Sequence, residues 1–84
     1  MFEVMLDKQA EKFLKKCENS LFVRINSKLK ELKLVAVPHD AKRVHGYSVL
    51  TFRIRIGDYR ALYRVNYSDS RIVVVKIDKR GAVY

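Results

Sequence analysis

The stretch from Leu50 to Val65, LTFRIRIGDYRALYRV, carries two alternating patterns joined by Gly57-Asp58. In the first, Leu50, Phe52, Ile54 and Ile56 share one face while Thr51, Arg53 and Arg55 share the other. In the second, Ala61, Tyr63 and Val65 alternate with Arg60, Leu62 and Arg64. A period of two marks a half-buried strand, because successive side chains leave a sheet on opposite sides. Gly-Asp between two such runs predicts a tight hairpin. If the apolar faces coincide, Arg53, Arg55, Arg60 and Arg64 converge on one open sheet surface. Guanidinium groups held on strands predict a shaped anion site.

The flanking sequence supplies what such a hairpin needs for a core. Phe2, Val4 and Leu6 alternate as a first strand, and Asp7 offers an N-cap oxygen to a helix beginning near Lys8. Ala10, Phe13, Leu14 and Cys17 form its apolar stripe. Asn19-Ser20 ends that helix, and Ser20 caps a second, running from about Leu21 to Leu34 with Leu21, Phe22, Ile25, Leu29 and Leu32 on one side. Pro38 closes the helical region, and PHDAKRVHGY reads as a loop or irregular edge. Asn66 to Ser70 is a turn, and Arg71 to Asp78 a last strand with Val73, Val75 and Ile77 inward. Val74, Lys76 and Asp78 lie opposite, and Arg80 continues their parity. The order β-α-α-β-β-β predicts an α+β fold: a mostly antiparallel four-stranded sheet with a helical hairpin on one face.

With 84 residues, the chain predicts a single domain near the lower limit for a self-sufficient core. Its net charge of +9 favours nucleic acid, an anionic surface or an acidic protein as partner. Seven of the eight arginines lie at or after Arg43, whereas seven of the ten lysines precede Leu34. Lysines on helices commonly form a solvated face; an arginine fork matches phosphate geometry. One cysteine, Cys17, excludes an internal disulfide and a Cys-rich zinc site. The start has no signal-peptide pattern and no segment is apolar enough to span a bilayer, so no membrane partner and a cytoplasmic location are the expectation.

Common enzyme signatures are absent: no Gly-rich phosphate loop, no helical histidine pair, no nucleophile beside a base. His39 and His45 have only Asp40 nearby as a further ligand, so no metal site is expected. Arg53, Arg55, Arg60 and Arg80 remain, with Lys76, Lys79 and Tyr84. Cations neutralise phosphates and an aromatic ring stacks on a base. The bland alternative is a solvated basic face or a docking surface for an acidic partner.

The segments FRIRIGDYRALYRV and KIDKRGAVY, with this order of elements, resemble the RelE toxins of the RelE/ParE superfamily, especially the archaeal ones. The resemblance spans essentially the whole chain. It implies the toxin of a type II toxin–antitoxin system, paired with a RelB-like antitoxin in an oligomeric complex. It also implies a ribosome-dependent endoribonuclease that cuts mRNA in the decoding site without a cofactor or metal. By position, Arg53, Arg55, Arg60, Arg80 and Tyr84 match the family's catalytic set. Arg43, His45, Arg64, Lys76 and Lys79 are the further RNA-binding candidates. Arg60 is assigned to transition-state charge, Arg80 to the leaving group and Tyr84 to stacking or proton transfer, with Arg53 and Arg55 binding phosphate near the nucleophile.

Two departures qualify the match. Members with lysine in place of Arg55 have a candidate base, whereas a guanidinium stays protonated. The base is then Tyr84, His45 or no side chain. Tyr84 is the last residue given, so either a carboxylate sits beside its ring or the natural chain runs on. The alternatives are a ParE-like inhibitor of DNA gyrase and an RNA-binding relative with weakened catalysis.

Overall fold

The computed structural model describes residues 1–79. Strand β1 (Glu3–Leu6) leads into helix α1 (Lys8–Lys16) and helix α2 (Asn19–Leu34). Strands β2 (Lys42–Arg43), β3 (Thr51–Ile56), β4 (Tyr59–Asn66) and β5 (Arg71–Lys79) follow. They form one sheet in the order β1-β5-β4-β3-β2, antiparallel except where β1 runs parallel to β5.

This sheet has five strands, not the four expected. The additional one is β2, two residues from the predicted loop that pair with Arg53 and Phe52. A two-residue strand contains no alternation, so nothing local distinguishes it from loop. The helix boundary also shifts. Asp7 caps α1, accepting from the Lys8 amide at 3.1 Å, as its position predicts. α2, however, starts two residues early at Asn19, with Glu18 at the cap and no side-chain bond there, so Ser20 lies inside the helix. Cys17 caps the C-terminus of α1, its Sγ 3.6 Å from the Leu14 carbonyl oxygen.

The helices cover one sheet face. Ala10, Ile25, Leu29 and Leu32 are buried against Phe52, Ile54, Ile56, Ala61, Tyr63, Val65, Ile72, Val74 and Ile77, with Phe13, Leu14 and Leu21 at the margin. Phe22, expected on the inner stripe, is exposed. Tyr63 is fully buried, and its Oη donates to the Ala36 carbonyl at 2.8 Å. That bond joins the sheet to the segment following α2. Lys28 and Asp40 tie the same segment from outside, Nζ to Oδ2 at 2.9 Å. The hydrogen bond to Asp40 raises the Lys28 pKa against opposing desolvation, and Lys28 in turn lowers that of Asp40.

Strand β5 departs from simple alternation. Leu62 pairs with Lys76 but Tyr63 pairs with Val74, so Val75 is an extra residue, a β-bulge. One inserted residue reverses the facing of everything on one side of it. Ile72 and Val74 are therefore core residues and Val73 and Val75 half-buried, correcting the inward assignment of Val73 and Val75. Beyond the bulge the expected parity returns, with Ile77 inward and Lys76 and Asp78 opposite.

Past the end of β1, helix α1 completes the outer edge of β5. The Gln9 side-chain amide donates to the Ile77 carbonyl at 3.0 Å, and its oxygen accepts from the Ile77 N–H at 2.9 Å. One side chain thus occupies both ladder groups of Ile77, as a paired strand would.

Candidate nucleic-acid interface

Facing partners in an antiparallel ladder share a side of the sheet, so the register assembles the basic surface. Arg53, Leu62 and Lys76 form one row; Arg55, Arg60 and Asp78 form the next; Thr51, Arg64 and Val73 form a third. Lys42 extends the first row on the far side of Arg53. These rows occupy the side away from the helices. Leu62 is only 6% exposed yet lies outside the helix-side core. Its row neighbours Arg53 and Lys76 carry aliphatic stems long enough to cover it.

The hairpin turn fixes one end of this surface. Ile56 pairs with Tyr59, leaving Gly57-Asp58 as a two-residue loop. Gly57 has a φ of 61°, whereas Asp58 is not among the positive-φ residues. Glycine at the first central position fits a type II′ hairpin, whose twist suits the flanking strands. The Gly57 carbonyl accepts from Arg55 Nε at 3.2 Å. A guanidinium anchored through Nε still presents its two terminal nitrogens.

The candidate residues are brought together in part. Arg53, Arg55, Arg60, Arg64 and Lys76 share the open face. Arg43 occupies the position facing Phe52, on the alternate parity. His45 is exposed in the loop after β2. Lys79 faces Tyr59, whose ring meets Phe13 of α1 edge-on at 5.5 Å, so Lys79 stands on the helix side. The assignments to Arg80 and Tyr84 fall outside the described residues. Lys42 and Arg24 add to the cationic surface. Lys42 had no local signal, whereas Arg24 is the one arginine among the helical lysines.

This arrangement suits phosphate recognition and stabilisation of a developing negative charge. Rigid strands hold the cations with little reorganisation left for the ligand to impose. Asp78, in line with Arg60, moderates the charge of its row. Among the described residues no group of three potential metal ligands gathers, and no helix is long and apolar enough to cross a membrane.

Residues 4–84 match the family described as the ParE toxin of the type II toxin–antitoxin system parDE. The chain is 33% identical over 86 residues to the RelE1 protein of Methanocaldococcus jannaschii, an alignment covering 99% of this chain and 94% of that one. Its fold is similar to that in the archaeal RelE–RelB complex from Pyrococcus horikoshii OT3, with a TM-score of 0.85 and 30% identity over 95% of this chain and 96% of that one. It is also similar to the fold in the intact RelBE toxin–antitoxin complex of E. coli, with a TM-score of 0.77 and 19% identity, covering 94% and 96% of the two chains. At that identity the likeness shows the fold alone.

Proposed function

Because the chain belongs to the RelE/ParE family of type II toxins, we propose that it is a ribosome-dependent endoribonuclease that cleaves mRNA in the decoding site. The observation carrying this reading is the register that puts Arg53, Arg55, Arg60, Arg64 and Lys76 on the helix-free side of the sheet. In the reaction the RNA's own 2′-oxygen attacks the adjacent phosphorus and loses its proton. The bond from phosphorus to the 5′-oxygen breaks, and that oxygen takes up a proton. The products are a 2′,3′-cyclic phosphate and a 5′-hydroxyl.

The chain's residues supply charge and orientation to that step. Negative charge grows on the non-bridging oxygens of the phosphorane-like transition state, and preorganised donors act most strongly there. Arg60 takes this role, Arg53 and Arg55 bind phosphate near the nucleophile, and Arg80 serves the leaving side. Tyr84 stacks on a base or moves a proton. With a guanidinium at position 55, the base remains Tyr84, His45 or solvent. The partner is an acidic RelB-like antitoxin whose apolar helix packs on the helices or the sheet edge, blocking entry to the ribosome or displacing the C-terminal tail.

Primer extension on mRNA held in purified ribosomes tests this reading. Wild type cuts at the A-site codon, while folded Arg60→Ala cuts ~10²–10³-fold more slowly, the usual cost of one oxyanion donor. Uncut message with bound wild type would reject nuclease action. The match to a family described as ParE favours a second reading, inhibition of DNA gyrase. DNA breaks in cells with intact message would select it. RNA binding without cleavage would point instead to a catalytically weakened relative.

A further inference from the structure

The β3–β4 turn is approached by guanidinium groups from both layers of the fold. From the open sheet face, Arg55 donates through Nε to the Gly57 carbonyl. From helix α2, Arg24 lies over the same glycine. A Cβ there would meet the Arg24 Cζ at 3.0 Å and Nη1 at 3.2 Å, and would collide with Nη2. Gly57 thus serves two purposes: its positive φ suits the turn, and its bare Cα lets a planar cation settle on the backbone.

Neither arginine has an ion pair among the described residues. Among the described residues, Arg24 has no hydrogen bond or ion pair, and Arg55 has only its backbone carbonyl. Asp58, the turn's own carboxylate, pairs with neither of them among the described residues, so the two like charges repel each other and an anion placed between them relieves that cost. The turn is also a short reach from the centre. Arg55 faces Arg60 across the ladder, and Gly57 lies two residues further on, ~7 Å along a strand. That separation is on the scale of one nucleotide of extended single strand.

We propose that Arg24 and Arg55 form a second phosphate-binding subsite around Gly57, which takes the phosphodiester next to the one bound at Arg60. The subsite anchors the RNA strand on the nucleophile's side of the scissile linkage, where Arg55 already binds phosphate, and leaves Arg60 to the reacting phosphate. Arg55 is exposed, and its anchoring bond uses Nε alone, leaving its terminal nitrogens for a ligand. Arg24 approaches the glycine with Nη2 foremost, so two guanidinium groups flank the same backbone and can donate to the oxygens of one phosphate. This subsite rests on the reading of the chain as an RNA-binding toxin, but its test does not require cleavage.

The test is the affinity for a short single-stranded RNA oligonucleotide, measured by fluorescence anisotropy over a salt series. Log affinity falls with log salt by ~0.7 per phosphate contact in a single strand. Arg24→Gln, which keeps a planar side chain, lowers that slope by ~0.7. Arg24→Lys keeps the slope but weakens binding at fixed salt, because a point charge replaces a fork. Lys30→Gln, an exposed charge elsewhere on α2, serves as the control and leaves the slope unchanged. Melting curves show that each protein is folded.

An unchanged slope in Arg24→Gln overturns the subsite, as does an equal fall in Lys30→Gln. Loss of binding to an acidic antitoxin with RNA binding intact would reassign the turn to a protein partner and overturns RNA as the occupant. If wild type cuts no message on ribosomes, the nuclease reading fails, while the salt slopes still decide the subsite. If cleavage is normal and the slopes are equal, only the subsite fails.

Discussion

Arg55 and Arg60 stand directly opposite each other in the β3–β4 ladder. Like charges facing across a sheet disfavour the folded state, and β-branched residues suit a strand. Apart from the Arg55 bond to the Gly57 carbonyl, a fold selected for stability alone gains nothing from this pair. Arg55→Thr is therefore expected to stabilise the protein by about 0.2–1 kcal/mol in denaturant unfolding. The gain shrinks as salt screens the repulsion. A variant less stable than wild type at every ionic strength would show that the arginines do not strain the ladder.

Adjacent residues on β5 test the bulge. Val74 is fully buried and Val75 only half-buried. Replacing a buried valine by threonine places a hydroxyl without a partner, at about 1–3 kcal/mol. Val74→Thr is expected to show that loss in chemical denaturation, and Val75→Thr less than half of it. Uninterrupted alternation with Val75 inward reverses the two results, so the order of the two midpoints decides the register.

Tyr63 links stability to alkaline pH. Burial, with smaller contributions from Asp40 and Tyr67, raises its pKa above the ordinary phenol value. The protonated phenol is the form the fold accommodates. Stability tied to it is fully present below the unfolded tyrosine pKa of ~10 and declines as pH rises through the folded value. Tyr63→Phe should destabilise the protein at neutral pH by about 0.5–1.5 kcal/mol, through loss of the bond to Ala36, yet lose less on further alkalinisation. Parallel stability–pH curves for the two proteins would exclude a tyrosine contribution.

Gln9 makes a local prediction at the far edge of the sheet. Removing its amide leaves the N–H and carbonyl of Ile77 without their ladder-like partners. Gln9→Leu should speed amide exchange at Ile77 by more than tenfold and lower stability by about 1–3 kcal/mol. Protection at Ile77 equal to that of wild type would mean that β5 holds this segment without α1.

Legibility in the sequence followed the range of the interaction. The β3–β4 hairpin was readable because alternation, turn glycine and facing residues lie within sixteen consecutive positions. The cap at Asp7 and the end of α2 before Pro38 were equally local. The bulge was hidden because RIVVVKID is apolar at successive positions, so either parity fits until β4 sets the register. The edge strand β2 and the parallel pairing of β1 with β5 depend on partners far along the chain. Arg24 carries no local signal for the same reason: its significance comes from a glycine 33 positions later in the sequence.

The pleat divides the chain's inheritance into two interleaved texts. Along β3 and β4, alternate positions are written for the helices and the intervening ones for whatever lies against the open face. Leu62 and Thr51, buried although they stand in the open-face rows, belong to both. A lineage can therefore revise what it recognises, arginine to lysine or cation to neutral residue, without rewriting the interior on which the fold depends.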